Sequence, residues 1–107
     1  MNSSTVEIKF STAVRVRVTE DSLIVELSDG RTISVPVAWY PRLLHGSTDE
    51  RNHWRLIAGG HGVHWPDLDE DIRVENLLAG KPAGESQASF QKWLSLRQNK
   101  NANSSAK

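Results

Sequence analysis

A chain of 107 residues with 37% hydrophobic content has room for one small domain around a single core. Thirteen basic residues balance thirteen acidic ones, so no overall charge draws the chain to nucleic acid or an anionic membrane. The absence of cysteine excludes disulfides, thiolate metal sites and cysteine nucleophiles.

In chain order, MNSSTVEIKF has no basic region followed by an apolar run, so it does not read as a signal peptide. No stretch approaches the ~20 apolar residues that span a bilayer, and the expectation is a cytoplasmic protein without a membrane partner. Residues 1–12 form an N-terminal segment in which the alternation of VEIKF allows an edge strand at 6–10. AVRVRV places Val14, Val16 and Val18 on one face, LIVEL turns Leu23, Val25 and Leu27 inward, and RTISVPV does the same with Ile33, Val35 and Val37. Asp29-Gly30 between the last two runs is a two-residue hairpin signal of type I′. Residues 14–35 are therefore predicted to form a three-stranded antiparallel meander, which Pro36 ends because it cannot donate to a ladder.

Beyond the meander, Pro41 suits a first helical turn and Gly46 a left-handed stop, predicting a short helix at 41–45. Ser47 and Glu50 have capping-box spacing, which predicts a second helical turn at 48–53. Strands at 54–58 and 62–65 flank Gly59-Gly60, and VENLLA carries a helix that Gly80 stops. A loop and a docking helix with Phe90, Trp93 and Leu94 on one face occupy 81–97. Residues 98–107 have nothing to bury and read as a disordered tail. The fold class is α+β: a small antiparallel sheet, the meander plus a short hairpin, covered by short helices. The core domain spans 13–80, with the C-terminal helix and tail after it. Much of its apolar burial falls to Trp39, Trp54, Trp65 and Trp93, each able to cover roughly 150–250 Å2.

HWPDLDEDI, at 64–72, holds the densest chemistry. Asp67, Asp69 and Asp71 have the opening spacing of a calcium loop, but its required glycine and glutamate are replaced by Ile72 and Leu78, which excludes an EF-hand. The acids suit a helix entry better, with Asp71 serving the helix that follows and Asp67 closing the turn after Pro66. His61, His64 and Asp67 look ligand-like in spacing, yet residues three apart on a strand face opposite ways. No metal, cofactor or catalytic residue is therefore assigned. AGGHG lacks the lysine of a phosphate loop, and no nucleophile elbow occurs.

WYPRLLHGSTDERNHW is unusually rich in aromatic and basic residues for a connector. It reads as a cap that buries Trp39, Leu43, Leu44 and Trp54, with Arg51 or Arg55 paired to nearby acids. For Tyr40 and Arg42 a recognition role stands equally beside that one.

The runs LSDGRTISVPVAWYPRLL and ERNHWRLIAGGHGVHWPDLDEDIRVENLLAG together resemble the small bacterial family of unknown function 2442, over about residues 13–80. The resemblance implies a small α+β protein with no established enzymatic activity. Some members occur beside another small domain in gene pairs of toxin–antitoxin type, which implies a partner protein encoded nearby, or DNA. The chain departs from the family pattern at Arg73, where a serine suited to helix capping is frequent, and this shifts the capping role toward Asp71.

The expectation is a non-enzymatic bacterial interaction module, the antitoxin-like partner of a two-gene toxin–antitoxin type module. Its recognition surface would be Tyr40, Arg42, Asp67, Asp69 and Glu70. Two alternatives remain open. One is a metal-dependent hydrolase of phosphoesters or nucleic acid using Asp67, Asp69, Glu70 and Asp71 with His64. The other is a DNA-binding regulator using the basic C-terminal segment, which zero net charge and the lack of a helix-turn-helix pattern disfavour.

Overall fold

The alternating valines and leucines of the first third build a sheet in the order expected. In the computed structural model, which describes residues 11–105, strands β1 (Ala13–Val18), β2 (Ser22–Leu27) and β3 (Thr32–Pro36) pair antiparallel in the order β1-β2-β3. The edge strand expected at 6–10 lies outside the described residues. Leu23, Val25 and Leu27 are buried as their alternation predicts. Val14 is not. Ala13 pairs with Leu27 and Arg15 with Glu26, so Val14 is the extra residue of a β-bulge and is 53% exposed. The bulge shifts the strand's phase and turns Ala13 inward in its place.

The hairpin between β2 and β3 also differs from the two-residue form. Leu27 N–H donates to the Arg31 carbonyl at 2.8 Å and Gly30 N–H to the Leu27 carbonyl at 3.0 Å, closing a three-residue loop. Within it only Gly30 has positive φ, at 93°, whereas a type I′ turn needs two such residues. The Asp29 carboxylate accepts from both Arg31 N–H (3.0 Å) and Arg31 Nε (2.7 Å), which favours the longer loop.

Pro36 ends β3, and a 3-10 turn over Val37–Trp39 leads into α1 (Pro41–Leu44) with Pro41 in its first turn. Gly46 follows α1 without positive φ, so it is not a left-handed stop. A Cβ there would stand 2.9 Å from Leu68 Cδ1, and glycine is required for that close approach. Ser47 and Glu50 form the capping box of α2 (Thr48–Asn52), both reciprocal bonds being present. Strands β4 (Arg55–Ile57) and β5 (Gly62–Trp65) appear where expected.

A third strand, β6 (Glu70–Arg73), was not expected, and it completes a second sheet ordered β4-β5-β6. Pro66 initiates a turn closed by Leu68 N–H on the Trp65 carbonyl at 3.2 Å, and Asp69, at φ 52°, reverses the chain. Ile72 faces the core and Asp71 and Arg73 face out, but an inward glutamate at 70 hides the alternation. The acids therefore do not cap the next helix. The N-cap of α3 (Val74–Leu78) is Arg73, without a side-chain cap, and Asp71 lies on β6. Gly80 stops α3 at φ 71°: Lys81 N–H reaches the Asn76 carbonyl at 2.9 Å and Gly80 N–H the Leu77 carbonyl at 3.1 Å, a Schellman pair. Helix α4 (Gln87–Ser105) occupies the expected docking-helix region, and its bounds run past residue 97 into the segment that reads as a tail.

Both sheets contribute to one core, whose most enclosed side chains include Leu23, Leu43, Val63, Trp65 and Leu68. Trp65 is fully buried and its Nε1 donates to the Arg51 carbonyl at 3.1 Å; Trp39, Trp54 and Trp93 are half-buried around it. Leu44, expected inside, is exposed, because a four-residue helix presents only one side inward and Leu43 takes it. Among the described residues Arg51 pairs with no acid; it donates to the carbonyls of Leu43 (2.8 Å) and Leu44 (2.7 Å) at the end of α1. Among the described residues no helix is long and apolar enough to cross a membrane.

Candidate functional site

Strand geometry determines where each acid of the 67–71 cluster goes. Glu70 pairs with Trp65 and Asp71 with His64, so Glu70 shares the inward face with Ile72 while Asp71 points outward. Its outward carboxylate hydrogen-bonds His64 Nδ1 across the strand pair. Asp67, in the turn, accepts from His53 Nδ1 at 2.7 Å. Asp69 stays exposed at the turn's left-handed position. The four carboxylates of residues 67–71 are thus held in different ways, Asp67 on His53, Asp71 on His64, Asp69 exposed and Glu70 inward, although Asp69, Glu70 and Asp71 border one cavity. Among the described residues no three His, Asp or Glu side chains converge as the ligands of a metal ion would, so the set Asp67, Asp69, Glu70, Asp71 and His64 is not assembled as two-metal hydrolysis requires.

Where Glu70 turns inward the core gives way to a cavity of about 520 Å3 between β6, α1 and the linker that precedes α4. Tyr40, Arg42, Asp69, Glu70, Asn76 and Lys81 are among its walls. Tyr40 is buried, and its hydroxyl donates to the Lys81 carbonyl at 3.0 Å, which ties the linker to the start of α1. Burial raises its phenol pKa, with the charge of Glu70 adding to the effect.

Arg42 spans the cavity's end. Its Nε donates to Glu85 Oε1 at 2.9 Å and its Nη1 to the Asp69 carbonyl at 3.0 Å, and its guanidinium carbon lies 5.2 Å from the Trp93 ring centroid. The paired hydrogen bonds from Arg42 hold the Glu85 carboxyl below its usual range. Glu70 behaves oppositely. Burial pushes its carboxyl up to about 7; the Arg42 charge opposes this, and the charges of Glu85, Asp71 and Asp69 reinforce it. Near neutral pH it is poised between hydrogen-bond donor and acceptor.

Of the five residues expected to form a recognition surface, Tyr40, Arg42, Asp69 and Glu70 line this one cavity, and Asp67 turns instead to His53. Tyr40 and Arg42 are packed and bonded as parts of the cap, and both also form cavity wall. Glu85 and Lys81 were missed. Glu85 is 43 positions from Arg42, and its one sequence signal is that it is the sole acid between Lys81 and Lys107.

This architecture is found in other proteins. A crystal structure of a protein of unknown function from Rhodospirillum rubrum is similar at 27% identity and a TM-score of 0.63, over 75% of this chain and 96% of that one. A solution NMR structure of an uncharacterized protein from Chromobacterium violaceum shares the fold at 18% identity and a TM-score of 0.63, over 76% of each chain. No curated protein matches the sequence. The model of the family described as protein of unknown function (DUF2442) matches residues 13–83, from the first strand to the linker that closes the cavity, and the chain belongs to that family.

Proposed function

We propose that this protein is a non-enzymatic interaction module that takes a polar segment of a protein partner into the cavity of Tyr40, Arg42, Asp69 and Glu70. In its most concrete form it is the antitoxin-like half of a bacterial two-gene module. The carrying observation is the position of Glu70: a carboxyl held inside a cavity of about 520 Å3, where the neighbouring charges act on it through space and burial raises it to about 7. A carboxyl so placed costs stability in the free protein and regains it when a lysine, arginine or amide donor enters. Arg42, saturated by Glu85 and the Asp69 carbonyl, supports the cavity's shape rather than offering a free charge.

Tagged protein expressed from its native operon tests the proposal. A specific partner should co-purify with the wild-type chain and be lost from the paired variant Asp69→Lys and Glu70→Gln. Recovery of the chain alone, or undiminished capture by the variant, would overturn it.

A further inference from the structure

The cavity beside Glu70 has fixed walls, yet its polar groups are not all in use. Its linker wall is tied down at three points: Lys81 by the Tyr40 hydroxyl, Glu85 by Arg42, and Ala83 through its N–H on the Trp39 carbonyl at 3.1 Å. Those ties consume Tyr40 and, with the Asp69 carbonyl, Arg42. Two groups remain. Among the described residues neither the Glu70 carboxyl nor the Asn76 carboxamide has a side-chain hydrogen bond or ion pair. No polar side-chain atom described is both enclosed and unpartnered, so these two open onto the cavity they line.

Glu70 and Asn76 come from different walls, β6 and α3, and Ile72, Pro82 and Ala83 add carbon surface to the lining. The other two cations there, Arg73 and Lys81, are exposed, and Arg73 reaches out to Glu75 at 3.5 Å. Charge around Glu70 is mainly negative, with Asp69, Asp71 and Glu85 acting on it through space against Arg42. The donors that could satisfy Glu70 meet this lining differently. An amide brings no charge to an acid-rich wall. A guanidinium is a plane that seeks a forked acceptor, and Arg42 already closes that fork on Glu85. An ammonium points three donors in three directions and can take acceptors from two walls, while its aliphatic stem lies on carbon.

We infer that the group this cavity takes is a lysine side chain of the partner, which rests on the recognition role proposed above and names the group that role requires. The ammonium is held by the Glu70 carboxylate and the Asn76 carboxamide oxygen, and the methylenes lie on Ile72, Pro82 and Ala83. Only ionised Glu70 forms the pair, so entry of the lysine releases the proton that Glu70 holds below about 7. The titratable and charged groups facing Glu70 are Tyr40 and Arg42, Asp69 and Asp71, and Lys81 and Glu85 of the linker; α3 contributes the uncharged Asn76. Affinity therefore rises with pH through that value.

The test titrates the isotopically labelled full chain with n-butylammonium chloride, an ammonium on the same stem, at ionic strength held constant with sodium chloride. Amide resonances of β6, α3 and the linker should shift saturably. Glu70→Gln should weaken binding at least about tenfold and Asn76→Ala about fivefold. Two probes share the stem, n-butylguanidinium with a planar cation and n-butanol with no charge, and both should bind at least about tenfold more weakly. Raising pH from about one unit below the Glu70 value to about one unit above it should tighten n-butylammonium about tenfold in the wild type and leave Glu70→Gln unmoved. No saturable shift, an undiminished titration in Glu70→Gln, equal binding of either comparison probe, or an affinity flat with pH would overturn the inference. If that happens while a partner still co-purifies and is lost from the paired variant, the recognition surface stands without its lysine. Ammonium binding in a chain that captures no partner would instead keep this site and end the interaction module.

Discussion

Glu70 shows how one side chain sets both a site and a liability. Strand alternation turns it inward beside Ile72, and burial raises its carboxyl to about 7. In the folded protein it therefore holds a proton that the unfolded chain has released, over the interval from its usual 4.5 to about 7. Stability from this group is complete below 4.5 and is lost as pH rises through about 7. Glu70→Gln should stabilise the protein at pH 8 by about 1–3 kcal/mol and change little at pH 4.5, as measured by urea denaturation at both values. Arg42 is the counterpart. Its planar fork reaches Glu85 and the carbonyl of Asp69 together, a geometry that a lysine ammonium cannot reproduce. Arg42→Lys should cost about 1–3 kcal/mol in the same assay despite the conserved charge. Arg42 was singled out in the sequence beside Tyr40, but its partner, 43 residues away, was not legible there.

Elements fall into those made by neighbours in sequence and those made by contact. The capping box of α2 needs only Ser47 and Glu50 and was readable from spacing. Strand β6 needs β5 beside it, and its own sequence, with a glutamate at an inward position, resembles a helix entry. Gly46 belongs to the second group too. Its residue type suggests a left-handed stop, but its cause is Leu68, fully buried and 2.9 Å from where a Cβ would stand. Gly46→Ala should cost about 1–3 kcal/mol because Leu68 has no room to withdraw. Gly84→Ala, with nothing within 4 Å of the added carbon, should stay within about 0.5 kcal/mol of wild type. Thermal melts of the two variants compare them directly, and Leu68→Val in the Gly46→Ala background should recover part of the loss.

At the scale of the whole molecule the zero net charge conceals opposing titrations. Glu50, held low chiefly by its hydrogen bonds from Arg97, and Glu85, held low by Arg42, contribute stability above 4.5 that disappears as pH falls below it. Glu70 acts in the other direction, so the stability maximum should lie on the acid side of neutrality, at about pH 5. Urea midpoints measured across the acid-to-alkaline range should trace that curve, and Glu70→Gln should move its maximum toward neutral pH.

The sequence by itself determined the meander, the helix starts at Pro41 and Ser47, the stop at Gly80 and the family to which the chain belongs. Each rests on interactions within a few residues, where alternation, proline, glycine and capping act before any distant contact forms. Tertiary structure alone decided the bulge that ejects Val14, the strand hidden in the acidic run, the inward aim of Glu70 and the Arg42–Glu85 tie. These depend on which segments meet, and pairing between segments distant along the chain leaves no local pattern in either of them.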